Sequence, residues 1–529
     1  MPPTNDSGQD VHAPAPEAGA VVSAGVAGIF AHVLLLKAGP ERDRSVSALD
    51  AFLAEPDPER ARRMWLGAPL DGPMPYNSGQ VRWLIVRDIA EIDRIIGVQL
   101  DAVLHHPRLQ QIEASWRGLS YLVDRLEATR GGEGPPVKIR VLDASWKDVS
   151  RDIERAAEFD QSQIFKKVYD AEFGTPGGEP YGLLLGDYEV SHRPFPGHPT
   201  SDIAALDGLS HVAAAAFAPL VVGGHPGLLG LDRFSELDQP IDLARNFQQI
   251  EYVRWNSLRK SEDSRFLAIT MPRILMREPY DDDGTRRGAF PYQEDMSGDE
   301  GRTRLWGTAV YLFGGVVVRA FGTHSWPAGI RGVPKNRDGG GLVTGLVTER
   351  FDTDKGSFAR RCPSDVIITD RLEKELSDLG FIPVSSCRDS ADLAFYSCPS
   401  IQVPQKYETA AATANARISS VLQCILTVSR FAHYLKMIGR EKVGSFATAA
   451  QIESQLDAWI GKYCTRSETA SADMRAQRPL SEAKIEVREH PGKPGVYACI
   501  VHLKPHFQVE HIVSAVKLVT EFAPIQQQT

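Results

Sequence analysis

The sequence holds little cysteine: six residues in 529, at Cys362, Cys387, Cys398, Cys424, Cys464 and Cys499. None stands in a C-x-x-C pair, and six thiols spread over this length exclude a disulfide framework. They read as buried or incidental thiols of a reducing compartment. Positive charge is not in excess either. Lys and Arg total 59 against 68 Asp and Glu, a formal charge of −9, so nothing marks a general nucleic-acid binder. Long apolar runs are also lacking. The uncharged stretch 18–36 contains the run 26–36, but Gly19, Gly25 and Gly28 dilute it and His32 interrupts it. Asp6, Asp10 and Glu17 precede it where a secretory signal needs a basic start, so neither a signal nor membrane insertion is expected. The expectation is a soluble, cytoplasmic chain.

Catalytic signatures are missing as well. There is no G-x-S-x-G elbow, no H-E-x-x-H and no Walker motif. The glycine-rich segment 174–180 lacks the Gly-Lys-Ser/Thr ending that grips phosphates and magnesium, and Pro176 and Pro180 remove amide donors. It reads as a structural loop. Gly339, Gly340 and Gly341 have no dinucleotide spacing and read as a flexible loop. His502, His506 and His511 lie close together, but Pro505 breaks any helix that would align them, and no cysteine completes a zinc site. His105 and His106, before Pro107, read as a pair meeting the carbonyl end of a helix. The charged clusters 260–265 and 365–378 read as solvated faces, the second on a helix 371–379 ended by Gly380. No catalytic residue, cofactor or metal ligand is assigned, and the chain is not expected to be an enzyme.

What is present is a mixed α+β pattern in several segments. Residues 1–25, rich in Pro, Ala and Gly, read as a disordered tail. Residues 26–80 read as an N-terminal arm and linker, with a short helical region at 45–66 broken by Pro56 and Pro58. Residues 81–135 read as a helical hairpin. Ile85, Ile89, Ile92, Ile96, Leu100 and Val103 make one apolar face of its first helix, and Trp116, Leu119, Leu122 and Leu126 mark the second. Residues 136–400 read as a central mixed α/β domain. It opens on a half-buried strand in which Val137, Ile139 and Val141 alternate with Lys138 and Arg140. Strand-like and helical runs follow at 181–185, 212–222, 266–271, 305–321 and 366–368. Residues 401–478 read as helical, with long stretches at 410–435 and 447–463. Residues 479–529 are β-rich. Strands around Ile485 and Val487 and at 496–503 are joined by a Pro-Gly-Lys-Pro-Gly turn, and a last apolar segment at 512–522 favours a strand by its valines.

An ordered set of short stretches carries a resemblance. It begins with Gln99-Leu-Asp-Ala-Val-Leu-His-His-Pro107 and Glu113-Ala-Ser-Trp-Arg-Gly118. Glu158-Phe-Asp-Gln-Ser162, Phe165-Lys-Lys-Val-Tyr169, Glu172-Phe-Gly174, Gly177-Gly-Glu-Pro-Tyr-Gly182 and Gly186-Asp-Tyr188 follow. Then come Ser261-Glu-Asp-Ser-Arg265, Ile330-Arg-Gly332, Asp370-Arg371, the run from Glu373 to Pro383, Ser429-Arg-Phe-Ala-His-Tyr-Leu-Lys436 and Lys504-Pro-His-Phe-Gln508. Together, over about residues 85–522, they resemble the large sheath subunit of the type VI secretion system, the VipB or TssC family. The first 80 residues depart from the family pattern.

The resemblance implies a multi-layer sheath-subunit fold with a β-rich C-terminal domain related to contractile phage tail sheaths. It also implies partners: a small sheath subunit (VipA/TssB-like), neighbouring copies of the same chain, an inner tube protein, a baseplate, and an ATP-driven unfoldase acting on the contracted sheath. Contraction would draw on a metastable extended lattice, since no nucleotide site is found. The terminal strands show no evident partner within residues 479–529, and an isolated hairpin is marginal in water. Strand addition between subunits is therefore expected to involve Ile512, Val513, Val516, Leu518 and Val519, together with Val33 and Leu35 of the arm. Lys504, Glu510, Lys517 and Glu521 are candidates for inner-tube contact because they sit in the terminal domain. Two other readings stay open: a hydrolase using Asp365, Asp370 or His433, and a non-contractile scaffold of the same family.

Overall fold

A computed structural model describes residues 49–129, 135–195, 198, 201–282, 284, 290–298, 300–334, 338–354, 357–387, 390–442, 448–467, 470–489, 497–506 and 516–522. The chain divides into two compact units, residues 1–102 with 280–294, and residues 103–279 with 295–529.

In the first unit, helix α1 (Pro58–Leu66) starts where the Asp57 side chain accepts from the Glu59 amide at 3.1 Å, and it ends on Gly67 in the left-handed region at φ 61°. Pro58, expected as a break, is instead the first residue of this helix, where its missing N–H costs nothing. Helix α2 (Ser78–Leu104) follows. The Trp65 indole N–H donates to Asp88 Oδ2 at 3.1 Å, and Arg87 pairs with the same buried carboxylate at 2.8 Å.

The second unit opens on α3 (Pro107–Thr129). His106 lies between the two helices. Its Nδ1 accepts from the Arg108 amide at 3.3 Å and so caps the start of α3. Residues 135–145 form no strand. Their alternation has another cause, because Lys138 and Arg140 reach across to Glu179 and Glu172. An amphipathic helix α4 (Trp146–Arg155) and a π-helical segment (Lys166–Gly174) lead into the sheet.

That sheet is parallel, in the order β1 (Leu184–Val190), β2 (Leu220–Gly224), β3 (Leu267–Met271) and β4 (Ile382–Pro383). Helix α5 (Ile203–Ala216) joins the first two strands. Every residue of β2 and β3 is buried, as expected where both faces are covered. Leu220, Val222, Leu267, Ile269 and Met271 enter one core cluster with Trp255 and Phe381. Val221, Ala268 and Ile382 face the other, which is filled by Val310, Phe313 and Val316 of α6 (Val310–His324). The centre of this unit is a three-layer arrangement. Of the expected strand-like and helical runs, 212–222 divides into the end of α5 and β2, and most of 305–321 is helix α6.

Helix α7 (Asp370–Asp378) is capped by Thr369 and precedes β4. The helical stretch expected at 410–435 is two helices, α8 (Ala410–Ser419) and α9 (Leu422–Lys442). They part because the Ser400 amide donates to the Ser420 carbonyl and the Leu422 amide to the Cys398 carbonyl, both at 2.9 Å. Helix α10 (Ala449–Gly461) lies on a three-stranded antiparallel sheet of β5 (Leu480–Glu489), β6 (Tyr497–Pro505) and β7 (Val516–Phe522), with β6 central. Trp326, Phe431, Leu456, Ile460, Ile485, Cys499 and Val501 form the core between these helices and strands.

Candidate assembly interface

The C-terminal sheet corrects the premise of unpaired terminal strands. Strands β5 and β6 pair antiparallel from Leu480 opposite Pro505 to Glu489 opposite Tyr497. Strand β7 pairs with β6 from Val516 opposite Leu503 to Phe522 opposite Tyr497. The last apolar segment thus has a neighbour within the chain, which a hairpin-by-hairpin reading overlooks because β6 has two edges. By strand order β7 is an outer strand.

Of the residues expected at the interface, Val516, Leu518 and Val519 lie on β7, as do Lys517 and Glu521, the candidates for inner-tube contact. Lys504 lies on β6, opposite Glu482. Ile512, Val513, Glu510, Val33 and Leu35 fall outside the described residues.

A second kind of surface appears on the long helices. The apolar face of α2 expected to be core is only partly covered, with Ile89 52%, Ile96 46% and Val103 56% exposed, and Trp83, on nearly the opposite side of the helix, is 63% exposed. Helix α3 buries Ala114, Gly118 and Leu122 instead of the expected Trp116, which is 68% exposed, with Ile112 and Val123 on the same side. Glycine decides which face of α3 packs. A side chain at Gly315 of α6 would meet Tyr121 Cε1 at 2.7 Å, and one at Gly322 would meet Thr129 Cβ at 2.7 Å. Sequence reading missed this face because both sides of α3 carry apolar residues. The signal was present in the glycines of its partner helix.

The three residues of the hydrolase reading each have structural employment. Asp365 accepts from Arg273 Nη2 at 2.8 Å, and Asp370 stands in the first turn of α7, where a carboxylate favours the helix dipole. His433 is buried in α9, its Nε2 donating to the Ala216 carbonyl at 2.9 Å, and burial pulls its pKa down to about 4. The thiols of Cys398, Cys424 and Cys499 are pushed up to about 12 by burial and are poor nucleophiles. Among the described residues no three His, Cys, Asp or Glu side chains gather as a metal site, and no helix is long and apolar enough to cross a membrane.

The glycine loops are tightly built. At Gly178 the loop passes against the Glu172 backbone, and Glu172 Oε2 accepts from the Glu179 amide at 2.8 Å. Gly339 to Gly341, expected to be flexible, are held instead. The Gly341 amide donates to the Gly332 carbonyl at 2.8 Å, the Phe395 amide donates to the Gly341 carbonyl at 3.0 Å, and Arg319 donates to the Gly340 and Leu342 carbonyls. These glycines serve close approach rather than motion.

Two family models match the chain in succession: the EvpB/VC_A0108 tail sheath N-terminal domain over residues 86–402 and the tail sheath gpW/gp25-like domain over residues 411–522. The type VI secretion system sheath protein TssC1 of Pseudomonas aeruginosa is 36% identical over 436 residues, 82% of this chain and 84% of that protein. Among solved structures, a chain in the baseplate of the anti-feeding prophage matches at 10% identity with a TM-score of 0.34, over 74% of this chain and 83% of that one.

Proposed function

The chain belongs to the EvpB/VC_A0108 tail sheath family, and from that premise we propose that it is the large structural subunit of a contractile type VI secretion sheath. The observation that carries this reading is the succession of the two sheath domains, over 86–402 and 411–522, supported by 36% identity to a sheath protein along 82% of the chain. Its work is assembly, not turnover. The chain pairs with a small sheath subunit, and the heterodimers stack around an inner tube on a baseplate in the cytoplasm. Heterologous contacts that do not close on themselves generate the helical lattice. The exposed apolar residues of α2 and α3 and the outer strand β7 are the surfaces such contacts would use.

Contraction releases energy stored in the extended lattice, so no nucleotide is consumed in the stroke, and an ATP-driven unfoldase recycles the contracted form. The test is electron microscopy of the chain co-expressed with its small partner. Long hollow tubes support the reading, whereas soluble particles with hydrolytic turnover favour the enzyme, and short discs or static tubes favour a non-contractile scaffold.

A further inference from the structure

The C-terminal sheet has two outer strands, and one of them is met by a pair of acids. Glu453 and Asp457 stand four residues apart on α10. The Val487 amide donates to Glu453 Oε2 at 2.9 Å, and the Ile485 amide donates to Asp457 Oδ1 at 3.1 Å. Both amides belong to β5, two residues apart. The two spacings suit each other for a geometric reason. Four residues of helix advance about 6 Å, and two residues of strand advance about 6.7 Å. Carboxylates at i and i+4 therefore offer acceptors at nearly the repeat of the carbonyls in a neighbouring strand.

The same edge is closed further along by backbone. The Leu480 amide donates to the Tyr463 carbonyl at 3.2 Å, and the Leu480 carbonyl accepts from the Thr465 amide at 2.8 Å. Helix α10 is fixed in place. Ile452, Leu456 and Ile460 are buried in the same core as Ile485 and Val487, and Thr448 and Gln451 form a capping box at its start.

We infer that α10 closes the β5 edge, Glu453 and Asp457 standing in for a neighbouring strand, so that a strand from another subunit can be added only on the β7 side. An open edge is a template for any extended segment. A sheet open on both sides would accept strands in two directions, and closing one gives the lattice a single direction of strand exchange. The closure stands on the hydrogen bonds alone, while its consequence for exchange between subunits rests on the sheath reading.

Hydrogen exchange on the full-length chain tests it. In the wild type, the Ile485 and Val487 amides exchange as slowly as the ladder amides of β6. In Glu453→Ala/Asp457→Ala they exchange about tenfold faster or more, the loss expected when a hydrogen bond to a charged acceptor is removed. Glu453→Gln/Asp457→Asn, which keeps a carbonyl acceptor at each position, retains most of the protection. Sedimentation of the alanine variant shows a larger share of high-mass species than the wild type. Fast exchange in the wild type, or unchanged exchange in the alanine variant, overturns the closure. Faster exchange with an unchanged mass distribution overturns the confinement of strand addition. A chain that forms no sheath leaves the exchange result standing, so the two readings fail separately.

Discussion

The carboxylate of Asp187 on β1 lies 2.9 Å from the hydroxyl of Tyr311 on α6, and the contact ties an outer strand of the parallel sheet to the helix that covers it. Ser115 of α3 donates to the same oxygen, and Thr308 donates to the other at 3.0 Å. Burial, reinforced by the nearby carboxylate, raises the Tyr311 pKa, so the phenol remains a donor throughout the physiological range. Asp187→Ala strands three hydroxyls at once and is expected to destabilise the chain by about 2–4 kcal/mol. Asp187→Asn should cost less, because its carbonyl still accepts. Thermal unfolding by circular dichroism gives the comparison, and equal melting temperatures for wild type and the alanine variant would remove the carboxylate from the architecture.

Acid should weaken the fold before it touches most carboxylates. Burial lowers the pKa of His192, His225 and His433 to about 4, against about 6.5 in an unfolded chain. Below that value the unfolded state binds protons that the folded state refuses, so stability rises with pH across this window. The contribution is complete above about pH 6.5 and is lost progressively down to about pH 4. Denaturant midpoints should therefore be lower at pH 5 than at pH 7.5. His433→Gln, which retains a donor for the Ala216 carbonyl, should flatten the difference, and midpoints independent of pH would contradict the burial argument.

The π-helical segment depends on α9. Arg440 Nη2 donates to the Phe173 carbonyl at 2.7 Å and to the Gly174 carbonyl at 3.0 Å, and the Lys436 amine lies 3.5 Å from the centre of the Phe173 ring. Cations here satisfy the carbonyl end of the segment and its dipole together. Arg440→Ala is expected to cost about 1–3 kcal/mol and to make residues 166–180 a preferred site of limited proteolysis. Unchanged cleavage there would show that the segment holds without the cap.

Gly341→Ala should be poorly tolerated although the position looks like a loop. A side chain there would overlap the Phe395 carbonyl, and the neighbouring backbone is fixed by Arg319. A loss of about 1–3 kcal/mol is expected from the forced shift, measured as a drop in melting temperature. Full stability in that variant would restore the flexible-loop reading.

Much of this was legible in the chain, and the remainder depended on contacts distant in sequence. The helices at 78–104 and 107–129 follow from their periodicity, and β3 from the run Phe266 to Met271. The boundary inside 212–222 was hidden because Ala213 and Ala216 are buried on a helix while Val221 and Val222 are buried on a strand covered on both faces, which leaves no alternation to read. Val137 to Val141 alternates for ion pairs rather than for a sheet. Glu453 and Asp457 carry a readable spacing, yet only the fold sets β5 beside them.

A chain that builds a sheath through its C-terminal strands must lose assembly when they are removed. Electron microscopy of the chain co-expressed with its small sheath partner, intact and truncated after Lys504, tests that directly. The expected result is long hollow tubes from the intact chain and a folded but non-assembling body from the truncation, which lacks β7. Normal tubes from the truncated chain, or none from the intact pair, would contradict it.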